Sequence, residues 1–154
     1  MAGTIDTRLA ELGLTLPDAP APAANYVPFV ISGNMLYVSG QISQDANGRI
    51  NGRLGADMDI SSGAAAAARC GLSLIAQAKA ACGGDLDRVA RVVKLVGFVN
   101  STPDFVDQPK VINGASDLMV AVFGDAGRHA RSAVSAASLP LGVAVEIEAV
   151  FELR

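Results

Sequence analysis

Residues 143–153, VAVEIEAVFEL, alternate without a break. Val143, Val145, Ile147, Ala149, Phe151 and Leu153 fall on one side, and Ala144, Glu146, Glu148, Val150 and Glu152 on the other. Side chains of a strand point alternately to its two faces, so this is a strand with an apolar face and an acidic one. The apolar face needs a cover. Two helical stretches upstream can supply it, which predicts an α+β layer pair: a sheet with helices on one face. Its other face must meet solvent or another subunit.

Working back along the chain, RSAVSAA (131–137) and RVARVVKLVGFVNS (88–101) read as strands. VPFVISGNMLYVSGQI (27–42) holds two β-rich runs around Ser32-Gly33-Asn34, a hairpin signal. A short edge strand is expected near Arg49–Leu54. ISSGAAAAARCGLSLIAQAKAACGG (60–84) is the clearest helix, with Ser61 or Ser62 as its cap and Gly83-Gly84 as its stop. Arg69, Ser73 and Gln77 recur every four residues as a solvent stripe, opposite Ala68, Leu72, Ile75 and Cys82. Small residues at 63–68 would let this helix lie close to the sheet. A second helix is expected over 107–123 and a short one over 4–14. PDAPAPAANY (17–26) reads as an extended connector. The expected order is β-β-(β)-α-β-α-β-β, with the strands at 131–137 and 143–151 paired through SLPLG.

A chain of 154 residues suits one domain. Hydrophobic residues make up 51% and charged ones 18%, with a mean hydropathy of +0.37. This is apolar for a domain of this size, yet no run reaches the roughly 18 residues of a membrane span. The surplus points to a subunit interface and so to a symmetric homo-oligomer. A net charge of −3 with 5% aromatics and no Trp argues against nucleic acid as partner. MAGTIDTRLAELGLTL has early charges and no apolar signal region, so a cytoplasmic address is expected. Cys70 and Cys82 lie twelve apart in one expected helix, about 18 Å along its axis, too far for a disulfide. One histidine and two distant cysteines make no recognisable metal set, and no phosphate-binding glycine motif follows a strand. Neither metal nor cofactor is expected.

Chemistry concentrates in GRHARSAVSAASLP (127–140). His129, the only histidine, reads as a solvated turn residue, and Arg128 as its solvated neighbour. Arg131 opens a strand whose alternate positions are small, so its planar fork is left uncovered and suits a carboxylate. A structural ion pair with Glu146 or Glu148 is the competing reading. If the last two strands pair, Arg131 and Glu146 share a face at roughly 13 Å, with room for a small acid and a water between them.

SGNMLYVSGQI (32–42), VVKLVGFVNSTPDF (92–105) and above all ARSAVSAASLPLGVAVEIEAVFEL (130–153) resemble the RidA family, formerly YjgF and also known as L-PSP endoribonuclease. The resemblance runs from about Tyr26 to the C-terminus, dividing the chain into an N-terminal extension (1–25) and a RidA-like domain (26–154). It implies a chorismate-mutase-like α+β fold, with a mixed sheet and two helices on one face. It also implies a homotrimer with clefts at the subunit interfaces, and an enamine/imine deaminase. Such enzymes hydrolyse 2-aminoacrylate-type intermediates, released by pyridoxal-phosphate enzymes, to 2-keto acids and ammonia without a cofactor. Arg131 then matches the group that holds the substrate carboxylate, and Glu146 the one that positions water. Tyr26, Ser39 and Gly40 match the cleft wall. The cleft asparagine corresponds to Asn113, or Ser116 takes its place. Ala133 stands where some members carry cysteine. A non-catalytic, small-carboxylate-binding or stress-protective trimer is the alternative function; RNA cleavage is the older family reading.

Overall fold

The computed structural model describes residues 3–21 and 24–154; the parts of the extension and connector readings at 1–2 and 22–23 lie outside the described residues. Its elements are α1 (Thr4–Glu11), β1 (Phe29–Ser32), β2 (Met35–Ile42), β3 (Gln44–Asp45), β4 (Gly48–Arg49), α2 (Ile60–Ala81), β5 (Val89–Asn100), α3 (Gln108–Phe123), β6 (Ala130–Ala136) and β7 (Val145–Leu153). The five long strands form one mixed sheet in the order β1-β2-β7-β5-β6. The α+β architecture expected from the closing alternation is therefore present, with three helices.

β7 is the central strand of the sheet, and its inward face is apolar throughout. Val145, Ile147, Ala149, Phe151 and Leu153 are all buried, under α2 and α3, while Glu148 on the opposite face is exposed. Each large side chain buried there contributes about 1.5–3 kcal/mol. β2 and β5 flank β7, both antiparallel to it.

The expected pairing of the last two strands is corrected. β6 does not touch β7; it runs parallel to β5 at the sheet edge. The sixteen residues of α3 carry the chain back over the sheet, and a strand–helix–strand path of that kind returns parallel to the strand it left. SLPLG is then a longer connection across β5 rather than a hairpin turn. The region near Arg49–Leu54 differs too. It makes a separate two-stranded hairpin, β3–β4, and isolated bridges from Asn51 to Val143 and from Leu54 to Ser101.

α2 starts at Asp59, whose carboxylate accepts from the Ser62 amide at 2.8 Å, so the cap lies before the two serines expected for it. It stops at Gly83, which takes φ +64°. Its small residues serve α3 as well as the sheet. A Cβ on Gly114 would collide with the Ala64 carbonyl, so only glycine allows this helix crossing. The stripe assigned to solvent is corrected as well: Ser73 and Gln77 are 1% exposed. Residues 14–21 lie along that side of α2, and the Gln77 amide donates to the Pro20 carbonyl at 2.6 Å. α1 anchors this strap. Asp87 accepts from the Thr4 and Ile5 amides at 2.9 Å each, Lys79 pairs with Asp6 at 3.0 Å, and Leu9 is buried. Cys70 and Cys82 are free and buried.

Candidate functional site

Glu146 sits near the start of β7 on the face away from the helices, opposite Ile42 of β2 and Phe98 of β5. The β2–β7 register slips between Val38 and Gln41. That bulge holds Ser39 and Gly40, a local device that re-aims groups at a strand edge. A Cβ on Gly40 would lie 2.9 Å from Glu146 Oε2, so the carboxylate rests directly on bare backbone. The bulge is held by Ser39 Oγ, which donates to the Val27 carbonyl at 2.8 Å, and by Gln41 Nε2, which donates to the Ser39 carbonyl at 2.9 Å.

Around this carboxylate lies a cavity of about 600 Å³. Tyr26, Ser39, Gly40 and Glu146 line it together, so four of the residues singled out from the sequence meet at one place. Burial, and then the neighbouring charge of Glu148, push the Glu146 carboxyl above its ordinary value. Four further lining residues were not singled out from the sequence. Arg49 reaches the cavity from β4, and Pro20 and Ala21 bring the strap to its wall. Leu141, from SLPLG, lines it at φ +63°, a backbone conformation that an L side chain adopts only under local constraint. The two consecutive leucine-glycine residues after Pro140 were the available signal for that turn.

Arg131 belongs to a different surface. It lies opposite Leu95 of β5, which is fully buried, so its side chain leaves the sheet on the helix side. Glu146 lies opposite Phe98, three residues along the same strand. An odd offset reverses the face. Two strand spacings and three residues of rise separate their Cα atoms by about 14 Å, with the side chains on opposite sides of the sheet. The expectation that one chain holds both groups on one face is thus corrected, and the cause is the insertion of β5 between β6 and β7.

On the helix side, α3 presents Asn113 and Ser116, one turn apart, to the guanidinium. Arg131 Nη1 donates to Asn113 Oδ1 at 2.7 Å and to Ser116 Oγ at 3.1 Å. Both residues offered as alternatives for one role therefore act together. Ala133, two further on, is partly buried against the core on the same face. Among the described residues Arg131 makes no ion pair, so the competing reading of a bond to Glu146 or Glu148 is not what the structure contains. Neutral partners fix the fork while leaving its charge uncompensated. His129 is partly buried rather than solvated, with Nε2 2.9 Å from Ser116 Oγ and Nδ1 2.7 Å from the Gly127 carbonyl. Arg128 is exposed, beside Asp125. No helix among the described residues is long and apolar enough to cross a membrane.

The model of one protein family, described as "YjgF/chorismate mutase-like, putative endoribonuclease", matches residues 6–153. The chain belongs to that family. Protein TCP17 of Trypanosoma cruzi is 53% identical over 155 residues, covering 99% of this chain and 96% of that protein. The crystal structure of protein Atu1372 from Agrobacterium tumefaciens is 52% identical and superposes with a TM-score of 0.90 over 97% of this chain and 92% of its own. RidA from the Antarctic bacterium Psychrobacter sp. PAMC 21119 is 28% identical, with a TM-score of 0.60 over 88% of this chain and 94% of its own. Membership in the YjgF/RidA family thus agrees with the resemblance carried by residues 130–153.

Proposed function

We propose that the protein is an enamine/imine deaminase that works as a homotrimer, hydrolysing 2-aminoacrylate-type intermediates to 2-keto acids and ammonia. The observation that carries this reading is the pair of half-sites. A basic carboxylate stands in a cavity without an ion pair among the described residues, although Arg49 also lines that cavity. A second guanidinium, Arg131, held only by neutral groups, stands on the opposite side of the same sheet. In this reading the fixed fork of Arg131 from a second chain, rather than Arg49, completes the Glu146 cavity for a small imino acid. The open face of the sheet supports such an assembly, since Val30, Tyr37 and Val134 are each about half exposed on it.

In this mechanism Arg131 of one chain binds the substrate carboxylate through charge-assisted hydrogen bonds. The imine carbon is already electrophilic, so orientation and one proton carrier suffice. Glu146 of the neighbouring chain accepts a proton from water as the oxygen adds to that carbon, giving a carbinolamine. It passes that proton to the nitrogen, which has taken the electron pair of the double bond. It then takes the hydroxyl proton and delivers it to the same nitrogen, so the carbon–oxygen double bond forms as the carbon–nitrogen bond breaks and ammonia leaves. The raised basicity of Glu146 suits these transfers. Tyr26, Ser39 and Gly40 shape the pocket, Asn113 and Ser116 hold the guanidinium, and Ala133 keeps the space beside it open.

The test couples purified protein to a serine or threonine dehydratase and follows keto-acid formation while semicarbazide competes for the imine. Acceleration is expected for wild type and lost in Arg131→Ala. No acceleration with any of several amino-acid precursors overturns the deaminase, and full acceleration in Arg131→Ala overturns the site.

A further inference from the structure

We propose that His129 is a positioning residue for Arg131, acting through the hydroxyl of Ser116; this rests on Arg131 being the carboxylate-binding group. For the neutral ring the atoms allow one assignment. The Gly127 carbonyl can only accept, so Nδ1 at 2.7 Å carries a proton and the Nε2 of the neutral ring is an acceptor. Arg131 Nη1 can only donate, so Ser116 Oγ at 3.1 Å accepts from it. The hydroxyl proton then goes to Nε2 at 2.9 Å. Each link fixes the next. The backbone sets the tautomer, the imidazole sets the hydroxyl rotor, and the hydroxyl turns a lone pair to the guanidinium.

The second bond of Nη1, to Asn113 Oδ1 at 2.7 Å, uses that nitrogen's other proton. Nη1 is therefore fully occupied by neutral groups. The Nη2 and Nε edge has no protein partner among the described residues, and this edge faces a carboxylate with two parallel donors. Without the imidazole, the Ser116 hydroxyl can rotate and offer its proton to the same space as Nη1, and the fork loses one of its two fixed points.

The local fold is built around this chain of contacts. Asn113 and Ser116 share a face of α3 through their three-residue spacing. His129 and Arg131 share a face of the β6 approach through their two-residue spacing. The turn at 124–127 brings the two together. A Cβ on Gly127 would collide with the Met119 carbonyl, so that turn seats against α3 only with glycine there.

Two readouts test the proposal, one without ligand. In wild type the Nη1 and Nη2 proton signals of Arg131 should be resolved by hindered rotation of the guanidinium, and should merge in His129→Leu. Titration with 2-oxobutanoate, a keto acid of the proposed product class, should show affinity reduced about threefold to tenfold in His129→Leu. It should return toward wild type in His129→Gln, whose amide oxygen can accept in place of Nε2. In a Ser116→Ala background His129→Leu should change nothing further, because the link it acts through is gone. Additive losses in this cycle, Gln behaving as Leu does, or Arg131 rotation indifferent to His129→Leu would each overturn the proposal. Should wild type bind no 2-oxobutanoate while Arg131 rotation depends on His129, the positioning link stands and the carboxylate reading falls.

Discussion

Chains carrying Arg131→Ala keep Glu146, and chains carrying Glu146→Gln keep Arg131. The two side chains leave opposite faces of one sheet, about 14 Å apart at Cα, so the proposed cleft, which uses both, takes them from different chains. Either variant alone should then lose most of its deaminase rate, by an order of magnitude or more for a truncated charged partner. When the two are co-refolded in equal amounts, each cleft draws its two sides at random. One ordered combination in four has Glu146 from an Arg131→Ala chain and Arg131 from a Glu146→Gln chain. The mixture should therefore recover about a quarter of the wild-type rate, measured as keto-acid release from the coupled dehydratase. A site built within one chain recovers nothing, since no single chain in the mixture has both groups. A mixed rate no higher than the mean of the two parents refutes the reasoning.

Gly40→Ala should leave the fold intact, yet it forces Glu146 Oε2 from 2.9 Å to at least 3.4 Å, a shift of about half an ångström that should lower kcat roughly tenfold; an unchanged kcat refutes the contact. Gly114→Ala meets a backbone carbonyl that cannot rotate away, and overpacking of this kind costs about 1–3 kcal/mol, so the melting temperature should fall by several degrees in calorimetry. Glu146→Gln should raise stability at neutral pH. The folded carboxyl is raised above its unfolded value by burial and then by Glu148, so the native state binds the proton more tightly. The resulting stabilisation is full below the unfolded value and is lost as pH rises through the folded one. Melting curves of the two proteins should coincide in acid and separate above the raised value. Val134→Glu, on the open sheet face, should shift the assembly toward monomers in sedimentation and abolish deamination together with it.

Much of the fold was legible because β7 alternates over its full length and α2 has clear start and stop signals. Element positions from 60 to 153 follow the sequence to within a few residues. Strand order was not legible. Adjacent strands joined by a short proline-containing turn suggest a hairpin, and nothing local in 130–153 tells that β5 slips between them. The same error carried Arg131 to the wrong face, since parity across a sheet is inherited from pairing. The stripe Arg69, Ser73, Gln77 failed for a related reason. Periodicity marks the side of a helix that needs no apolar cover, and cannot show that a strap forty or more residues earlier satisfies those polar groups instead. His129 was underrated because its partner, Ser116, lies on an element whose contact with the turn depends on Gly127 seating against Met119.

The strap has a dynamic consequence. Residues 70–78 of α2 are buried on every side, by sheet, by α3 and by residues 14–21. Amide exchange there should report global unfolding, while the strap, whose backbone crosses α2 with few ladder bonds, opens at a lower free energy. Because Pro20 and Ala21 also form part of the cavity wall, every such opening briefly widens the pocket around Glu146. The cavity's effective size should thus be an average over strap positions, wider than the static wall defines.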